Sequence, residues 1–372
     1  MKSMEKARKP QLSMINDIQI LIGDVRKTLK DVPDNSVNCC VTSPPYYGLR
    51  SYIPDGVDYK DAEIGMEQTP EEFIQNLVEV FREVKRVLTN DGVCYINIGD
   101  SYYNYRPGKG QALVQQTMHN DKSVMPDVCA RRGNKLEGLK EKDLIGIPWA
   151  LAFALRADGW YLRQDIIWAK SCSGVYSGGA VMPESTKDRF TRSHEYVFLL
   201  TKSQKYFFNQ DAVAEKQAAV SLKRAFSNNN MDARKGKGDE QYAISGKSQE
   251  KCYAKARAKI EAGEEMTRNR RSVWTVNLRP SDVGHFAAYP AELVEPCILS
   301  GCPDNGVVLD PFGGTGTTAV MATLLGRKAI HCDLDPRTSD FIEERRREII
   351  KQRNSDGETI SNGKIVKARK LF

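Results

Sequence analysis

The sequence of 372 residues has no long hydrophobic run, few histidines and no paired cysteine motif. No stretch approaches the roughly 18 to 20 apolar residues of a membrane-spanning helix, and the charged start of the chain has no apolar core behind it. Four histidines and nine cysteines occur without a CxxC pair or ligand spacing, so neither a zinc site nor a disulfide framework is expected. Helix-turn-helix and zinc-finger patterns are also absent. We therefore expect a cytoplasmic protein with no bound metal and no membrane contact.

The bulk composition is that of a globular enzyme. Hydrophobic residues make up 40% and charged residues 28% of the chain, which separates it from disordered and fibrous sequences. Its length suits one large α/β domain with a smaller appended region. A formal net charge of +7 favours a polyanionic partner such as nucleic acid.

Apolar runs, rather than alternating patterns, mark the expected strands of the core. They lie at 18–22 and 37–41, and further strands are expected at 93–98, 161–168, 195–201, 307–310 and 328–332. Such runs are typical of a parallel sheet that is covered on both faces. Between the second and third runs, Thr69 with Pro70 indicates an N-cap that opens an amphipathic helix. The pattern predicts an α/β fold with a doubly wound, mostly parallel sheet.

Four regions follow from the changes in composition. The expected regions are 15–211, with a loop at 42–47 and a mobile insertion at about 101–140, and 273–352, in which the sheet resumes. The basic insertion 212–272 lies between them, and 353–372 is a polar, frayed tail. The insertion is either a DNA-contacting region or a solvated surface insertion. Its candidate DNA-binding residues are Lys223, Arg224, Arg234, Lys235 and Lys237.

A glycine-rich turn follows the strand at 307–310. The turn reads Asp310-Pro311-Phe312-Gly313-Gly314-Thr315-Gly316-Thr317. Glycines there let the backbone approach a nucleoside at the carboxyl edge of the sheet. A phosphate-binding P-loop would need a Lys, and Asp310 would repel a pyrophosphate, whereas S-adenosylmethionine carries an amine and a sulfonium. Asp333, at the end of the next strand, can accept hydrogen bonds from both ribose hydroxyls. A tight turn without a ligand is the plain alternative.

A proline-rich loop, Thr42-Ser43-Pro44-Pro45-Tyr46-Tyr47, ends the strand at 37–41. Two successive prolines fix the backbone and remove two N–H donors, so the Ser43 hydroxyl and the Pro44 carbonyl form an acceptor surface for an amino group. Tyr46 offers a ring for stacking on a base, and Tyr47 could assist. A rigid surface turn or a proline-rich ligand site is the alternative interpretation.

Together the two motifs resemble those of the DNA amino-methyltransferases, the cytosine-N4 and adenine-N6 enzymes. The order, with the catalytic motif first and the cofactor motif last, is similar to that of their β group. The resemblance implies a seven-stranded, Rossmann-like sheet, S-adenosylmethionine as cofactor, and an inserted target-recognition region. It implies that 15–211 is the catalytic half, with catalytic roles for Ser43, Pro44, Pro45 and Tyr46, and that 273–352 is the cofactor-binding half. It also implies cofactor contacts from Asp24, Thr42, His285, Phe286, Asp310, Pro311, Phe312, Gly313, Gly314, Gly316, Thr317 and Asp333.

The implied reaction is direct methylation of the exocyclic amine of a base flipped out of double-stranded DNA. No enzyme thiolate is needed, and Cys297 is expected to be a buried core residue. Ser at position 43 mostly accompanies cytosine-N4 methylation in this family, while Asp accompanies adenine-N6, so cytosine is favoured and adenine is the alternative. A methyltransferase for a glutamine amide or an RNA base, and a non-catalytic DNA-binding protein, are the rival interpretations. A cognate restriction endonuclease and a second copy of the chain are further candidate partners.

Overall fold

The computed structural model describes most of the two halves and a few residues between them. It describes residues 11–15, 17–48, 51, 59–103, 136–170, 186–216, 258, 262, 266–279, 288–361 and 363–367. The strands are β1 (Gln11–Ile15), β2 (Ile18–Ile22), β3 (Val37–Thr42), β4 (Leu88–Ile98), β5 (Tyr161–Ala169), β6 (His194–Thr201), β7 (Glu215–Lys216), β8 (Thr267–Arg268), β9 (Val273–Thr275), β10 (Val307–Asp310), β11 (Lys328–Asp333), β12 (Thr359–Ser361) and β13 (Lys364–Lys367). The α-helices are α1 (Val25–Thr28), α2 (Pro70–Val87), α3 (Ile147–Ala157), α4 (Ala291–Gly301), α5 (Thr317–Leu324) and α6 (Thr338–Ser355).

One large sheet organises the chain, with its strands in the order β1-β2-β11-β10-β3-β4-β6-β5-β9. The five neighbours from β2 to β4 run parallel, whereas β6 is antiparallel to both β4 and β5. From β3 the chain continues to β4 on one side, and from β10 it continues to β11 on the other. The carboxyl ends of β3 and β10 therefore flank the topological switch point, where open α/β sheets bind ligands.

Helices cover both faces of the sheet, as the apolar runs predict. Ile20, on β2, points into a core shared with α4, α5 and α6, while its neighbour Leu21 points into a core shared with α1, α2 and α3. Cys39 and Cys40, on β3, divide between the same two cores. Because consecutive strand residues face opposite sides, only an apolar run can fill both cores. The prediction of a doubly wound, mostly parallel α/β fold is confirmed.

Helix α2 begins where its capping signal is placed in the sequence. The Thr69 side chain accepts a hydrogen bond from the backbone N–H of Glu72 at 3.2 Å, and the Glu72 carboxylate accepts from the N–H of Thr69. Pro70 occupies the first turn. The apolar face of the helix, including Phe73 and Phe81, is fully buried. A side-chain cap and a buried stripe thus stabilise the same element.

The edges and the end of the chain differ from the expectation. The sheet has nine strands rather than seven, because β1 pairs antiparallel with β2 and the short β9 pairs with β5. Both are edge strands whose mixed composition carries no apolar run. The segment expected to be a frayed tail instead completes α6 up to Ser355 and forms the hairpin β12–β13. Strand hydrogen bonds do not require apolar side chains, so a polar sequence conceals such a hairpin.

Residues Gln210–Arg271 form a second compact unit, of which the structure describes 210–216, 258, 262 and 266–271. Strands β7 and β8 pair antiparallel, and Glu215 pairs with Arg268 and Arg271 across them. The expected insertion at about 101–140 falls mostly outside the described residues. No helix in the described part of the chain is long and apolar enough to span a membrane.

Candidate active site

Two loops leave the carboxyl ends of neighbouring strands and meet at one cleft. Strands β3 and β10 pair in parallel through Cys39 with Val308 and Cys40 with Leu309. The proline loop (residues 42–47) follows β3, and the glycine loop (residues 311–317) follows β10. Both loops therefore start at the same edge of the sheet.

The cleft has an empty volume of about 1090 Å³ when the space at its open mouth is included. Because that space includes open solvent, the cleft is described by the residues that enclose it, which come from both loops. The lining residues are Gly23, Val25, Ser43, Pro44, Pro45, Tyr46, Ala62, Glu63, Ile64, Ala288, Tyr289, Pro311, Phe312, Gly313, Gly314, Thr315, Thr317, Asp333, Leu334 and Asp335.

All four residues predicted as catalytic line this cleft. Ser43 is partly exposed, and within the described part of the chain its hydroxyl makes no hydrogen bond. Pro44 and Pro45 lack an N–H, so neither residue can donate a backbone hydrogen bond to the Ser43 hydroxyl. Tyr47, expected to assist, faces the core instead: it is 5% exposed and its ring lies 5.4 Å from that of Phe73. The loop thus presents Ser43 and Tyr46 to the cleft and uses Tyr47 as an anchor.

The glycine loop depends on the absence of a side chain at Gly313. A Cβ atom at this position would lie 2.1 Å from the ring of His331, which is fully buried on β11 beneath the loop. The His331 Nε2 atom is 2.7 Å from the Thr338 hydroxyl, and burial lowers the pKa of His331 to about 3. A neutral imidazole therefore supports the loop from below, and only glycine allows the loop to lie directly on it.

Asp333 lies at the carboxyl end of β11 and faces the cleft. Its two carboxylate oxygens accept hydrogen bonds from the backbone N–H groups of Gly314 at 2.7 Å and Asp335 at 2.8 Å. Burial raises the pKa of Asp333 to about 7, and these two hydrogen bonds oppose the rise. Each oxygen keeps a second lone pair, so the carboxylate can still accept hydrogen bonds from a diol.

Asp310 and Thr42, both predicted as cofactor contacts, do not line the cleft. Asp310 is 1% exposed and accepts hydrogen bonds from the Thr42 hydroxyl at 2.7 Å and the Tyr289 hydroxyl at 3.0 Å. It also accepts from the backbone N–H of Phe312 at 3.1 Å. Burial raises the pKa of Asp310, and these donors oppose the rise. The carboxylate therefore ties Thr42, the last residue of β3 and the first of the proline loop, to the glycine loop.

Two further predicted contacts lie beside the cleft rather than in its lining. Asp24 is the N-cap of α1, and its carboxylate accepts hydrogen bonds from the backbone N–H and the guanidinium of Arg26. Gly316 is the N-cap of α5. Both residues therefore have a structural role, which is to begin a helix. His285 and Phe286, and the candidate DNA-binding residues of the insertion, lie outside the described residues.

Several lining residues were not anticipated from the sequence. Glu63 and Ile64 come from a segment without periodicity, and Asp335 follows the strand end by two residues. Tyr289 lies a few residues after His285 and Phe286. Only the spacing after Asp333 could have pointed to Asp335, since nothing in the sequence places the segment around Glu63 opposite the glycine loop.

The charges of the lining fit S-adenosylmethionine. Three carboxylates, of Glu63, Asp333 and Asp335, line the cleft, and no Lys or Arg is among its described lining residues. Lys60 and Arg337 pair with two of these carboxylates from outside the lining. An acidic pocket attracts a sulfonium and an amine, whereas it repels a diphosphate. The apolar surfaces of Pro311, Phe312 and Ile64 suit an adenine ring.

A doubly wound sheet with an acidic cleft at its switch point is the arrangement expected of an S-adenosylmethionine-dependent methyltransferase. The family model described as DNA methylase (N6_N4_Mtase) matches residues 37–344. The chain belongs to this family, and it is therefore a DNA methyltransferase of the N4/N6 group. The sequence resemblance and the cofactor expected from it are confirmed, and the interpretation as a non-catalytic DNA-binding protein is not supported.

Relatives of similar length support the assignment. The chain is 38% identical to the type II methyltransferase M.Cfr9I of Citrobacter freundii over 343 residues, which cover 92% of both chains. It is 36% identical to the type II methyltransferase M.SmaI of Serratia marcescens over 334 residues, or 90% of this chain and 92% of the relative. A solved structure titled PvuII DNA methyltransferase (cytosine-N4-specific) is similar in fold, with a TM-score of 0.51, 15% identity, and coverage of 90% and 92%.

Proposed function

We propose that the chain transfers a methyl group to the N4 amine of a cytosine at a specific site in double-stranded DNA. The observation that carries the proposal is the position of Ser43, whose hydroxyl makes no hydrogen bond within the described chain and lies in the same cleft as the glycine loop. A base amine and a methyl donor bound there would meet across the two loops.

The proline loop supplies acceptors for the amine. The lone pair of an exocyclic amine is delocalised into the ring, which makes the amine a poor nucleophile. Hydrogen bonds from its two protons to the Ser43 hydroxyl oxygen and the Pro44 carbonyl would localise the lone pair toward the donor. Pro44 and Pro45 carry no N–H, so the backbone at these positions has no donor that would face the protons of the amine unfavourably.

No covalent enzyme intermediate is part of the proposed reaction. S-adenosylmethionine supplies an electrophilic methyl group on a sulfonium, so a direct displacement suffices. The Cys297 thiol is 1% exposed on α4 and donates to the Leu293 carbonyl at 3.4 Å. Its predicted place in the core is confirmed, and it cannot reach a base.

Asp333 and the glycine loop are proposed to hold the cofactor. The Asp333 carboxylate would accept hydrogen bonds from the ribose hydroxyls, while Phe312, Gly313 and Gly314 would lie against the nucleoside. Both oxygens of the Asp24 carboxylate already accept from Arg26, so the contribution of Asp24 to binding the adenine of the cofactor is expected to be smaller. His285 and Phe286 remain proposals from the sequence.

A target base inside a duplex must leave the stack before its amine can enter the cleft. Tyr46 would then replace the lost stacking, a contribution of about 1–3 kcal/mol per base. The proposed stacking on Tyr46 applies to a flipped cytosine and to a flipped adenine alike.

The identity of the methylated base is the direct test. Purified protein, labelled S-adenosylmethionine and unmethylated DNA would be incubated, and the digested nucleosides would be separated by mass spectrometry. We expect N4-methylcytosine. N6-methyladenine in its place would establish the alternative base, and sequencing of the modified DNA would identify the site.

The basic insertion is proposed to contact the DNA backbone. Changing Lys223, Arg224, Arg234, Lys235 and Lys237 to Gln should weaken DNA binding and reduce the slope of affinity against salt by about 0.9 for each phosphate that the protein no longer neutralises. Cofactor binding should stay unchanged. An unaltered slope would show that these residues do not contact DNA and would favour a solvated surface insertion. A cognate endonuclease and a homodimer remain predictions from the family resemblance.

A further inference from the structure

Three strand ends meet beside the proline loop, on the side away from the glycine loop. Asn97 lies near the carboxyl end of β4, and Lys170 follows the carboxyl end of β5. Because β6 runs antiparallel to both, its first residues, including Glu195, lie at the same edge. The edge therefore carries a group of polar side chains next to Tyr46.

The carboxylate of Glu195 is the centre of this group. Its Oε2 atom accepts hydrogen bonds from the Tyr46 hydroxyl at 2.5 Å and from the Asn97 amide at 3.1 Å. Its Oε1 atom pairs with the Lys170 ammonium. Glu195 is only 7% exposed, and a buried carboxylate is stable only when such donors replace its water. The Tyr46 hydroxyl is therefore one of the groups that allow Glu195 to be buried.

The Tyr46 ring is also held at its edge by Gly99. A Cβ atom at Gly99 would lie 2.6 Å from the Cε2 atom of Tyr46, so the ring rests on bare backbone just after β4. The hydroxyl is fixed by Glu195 and the ring by Gly99, and both lie outside the proline loop. A side chain restrained in this way loses little conformational entropy when a ligand stacks on it.

We propose that Glu195 is a positioning residue that holds the Tyr46 ring ready to stack on the target base. Lys170 and Asn97 in turn hold the Glu195 carboxylate. The inference rests on the proposed role of Tyr46, but it does not depend on whether the base is cytosine or adenine. If Glu195 only stabilised the fold, its removal would affect every function of the protein and would not depend on the Tyr46 hydroxyl.

A double-mutant cycle tests the proposal on the full chain. Glu195→Ala, Tyr46→Phe and the combination are compared by kcat/KM for unmethylated DNA and by calorimetric Kd for S-adenosylmethionine. We expect Glu195→Ala to lower kcat/KM by about tenfold with the cofactor Kd unchanged, and to have little further effect in the Tyr46→Phe background. Glu195→Gln keeps an acceptor for the hydroxyl and should restore part of the loss.

Glu295→Gln is the matched control, because Glu295 is a buried carboxylate that pairs with Arg353 at 2.8 Å. It should lower stability and leave kcat/KM of the folded protein unchanged. Additive effects of Glu195→Ala and Tyr46→Phe, or an equal loss of cofactor binding, would overturn the positioning role. The nucleoside formed by the unaltered enzyme tests the proposed function separately, since it identifies the base without reference to Glu195.

Discussion

The glycine loop and the proline loop line the same cleft from neighbouring strands, yet their polar groups are satisfied differently. In the glycine loop, the N–H groups of Phe312 and Gly314 already donate to the carboxylates of Asp310 and Asp333. In the proline loop, two N–H groups are absent, and the Ser43 hydroxyl makes no hydrogen bond within the described chain. The first loop is therefore held by hydrogen bonds within the protein, whereas the Ser43 hydroxyl of the second loop is left for a ligand.

The difference corresponds to what each loop is expected to bind. A cofactor that binds in every cycle benefits from a rigid, prebuilt pocket, since less ordering is needed on binding. A base amine has to be distinguished from a base carbonyl, and the Pro44 carbonyl, which can only accept a hydrogen bond, favours the amine. Replacing a glycine in the first loop should therefore disturb its backbone conformation. Replacing Ser43 in the second loop should instead remove a hydrogen-bonding group and leave the backbone unchanged.

The largest effect is expected from Gly313→Ala. The added methyl group would overlap the His331 ring, and overpacking of this kind costs about 3 kcal/mol. If the glycine loop shifts to relieve this overlap, the affinity for S-adenosylmethionine should fall by about 100-fold, which calorimetry would measure. The double variant Gly313→Ala, His331→Ala should recover part of the affinity. Wild-type affinity in Gly313→Ala would show that the loop does not need the close approach.

Ser43→Ala tests the other loop. We expect kcat for DNA methylation to fall by about 100-fold, because one acceptor for the amine protons is lost, while the cofactor Kd stays unchanged. Single-turnover kinetics would measure the rate. Ser36→Ala is the control, since the Ser36 hydroxyl donates to the Pro33 carbonyl away from the cleft. A rate within about twofold of wild type would remove Ser43 from the mechanism.

Cofactor binding should depend on the ionisation of Asp333. Burial raises its pKa to about 7, and ribose hydroxyls donate best to the charged carboxylate. Affinity should therefore be about tenfold weaker at pH 6 than at pH 8, with the loss appearing as the pH falls below 7. Isothermal titrations over this range would measure it. Asp333→Asn should bind weakly at every pH, and a persisting pH dependence in that variant would assign the titration to another group.

The smallest effect concerns stability. The pKa of His331 is lowered by burial to about 3, below an unfolded value of about 6.5. The unfolded chain therefore binds a proton that the folded chain rejects, so stability is full above pH 6.5 and declines as the pH falls toward 3. Between pH 6.5 and 5.5 we expect a loss of about 1 kcal/mol in the free energy of unfolding. Denaturant titrations should show a smaller decline in His331→Gln.

Much of the fold was predictable because local chemistry and tertiary structure agree. The apolar runs at 18–22 and 37–41 are buried strands, and the capping box at Thr69 and Glu72 begins α2 where expected. The two loops could be found because each follows an apolar strand and lacks side chains or N–H groups where a ligand approaches. The edge strands β1 and β9 and the hairpin β12–β13 were missed, since backbone pairing at an edge leaves little trace in the composition.

The individual site residues were harder to place, since a polar side chain can face the cleft or form hydrogen bonds inside the protein. Asp310 and Asp24 belong to recognisable motifs, but their carboxylates serve Thr42 and Tyr289 in one case and Arg26 in the other. Tyr46 and Tyr47 are adjacent and chemically alike, yet one faces the cleft and the other packs on Phe73. Glu63 reaches the cleft from a segment with no pattern.

The sequence by itself determined the class of fold, the two motifs and the family, because these depend on runs, turns and spacings that any folded state must respect. Only the tertiary structure decided which polar groups face the cleft and which are used inside the protein. The physical reason is that a buried carboxylate takes the nearest donors, and the nearest donors come from distant parts of the chain. Glu195 illustrates this most clearly, since its link to Tyr46 spans 149 positions.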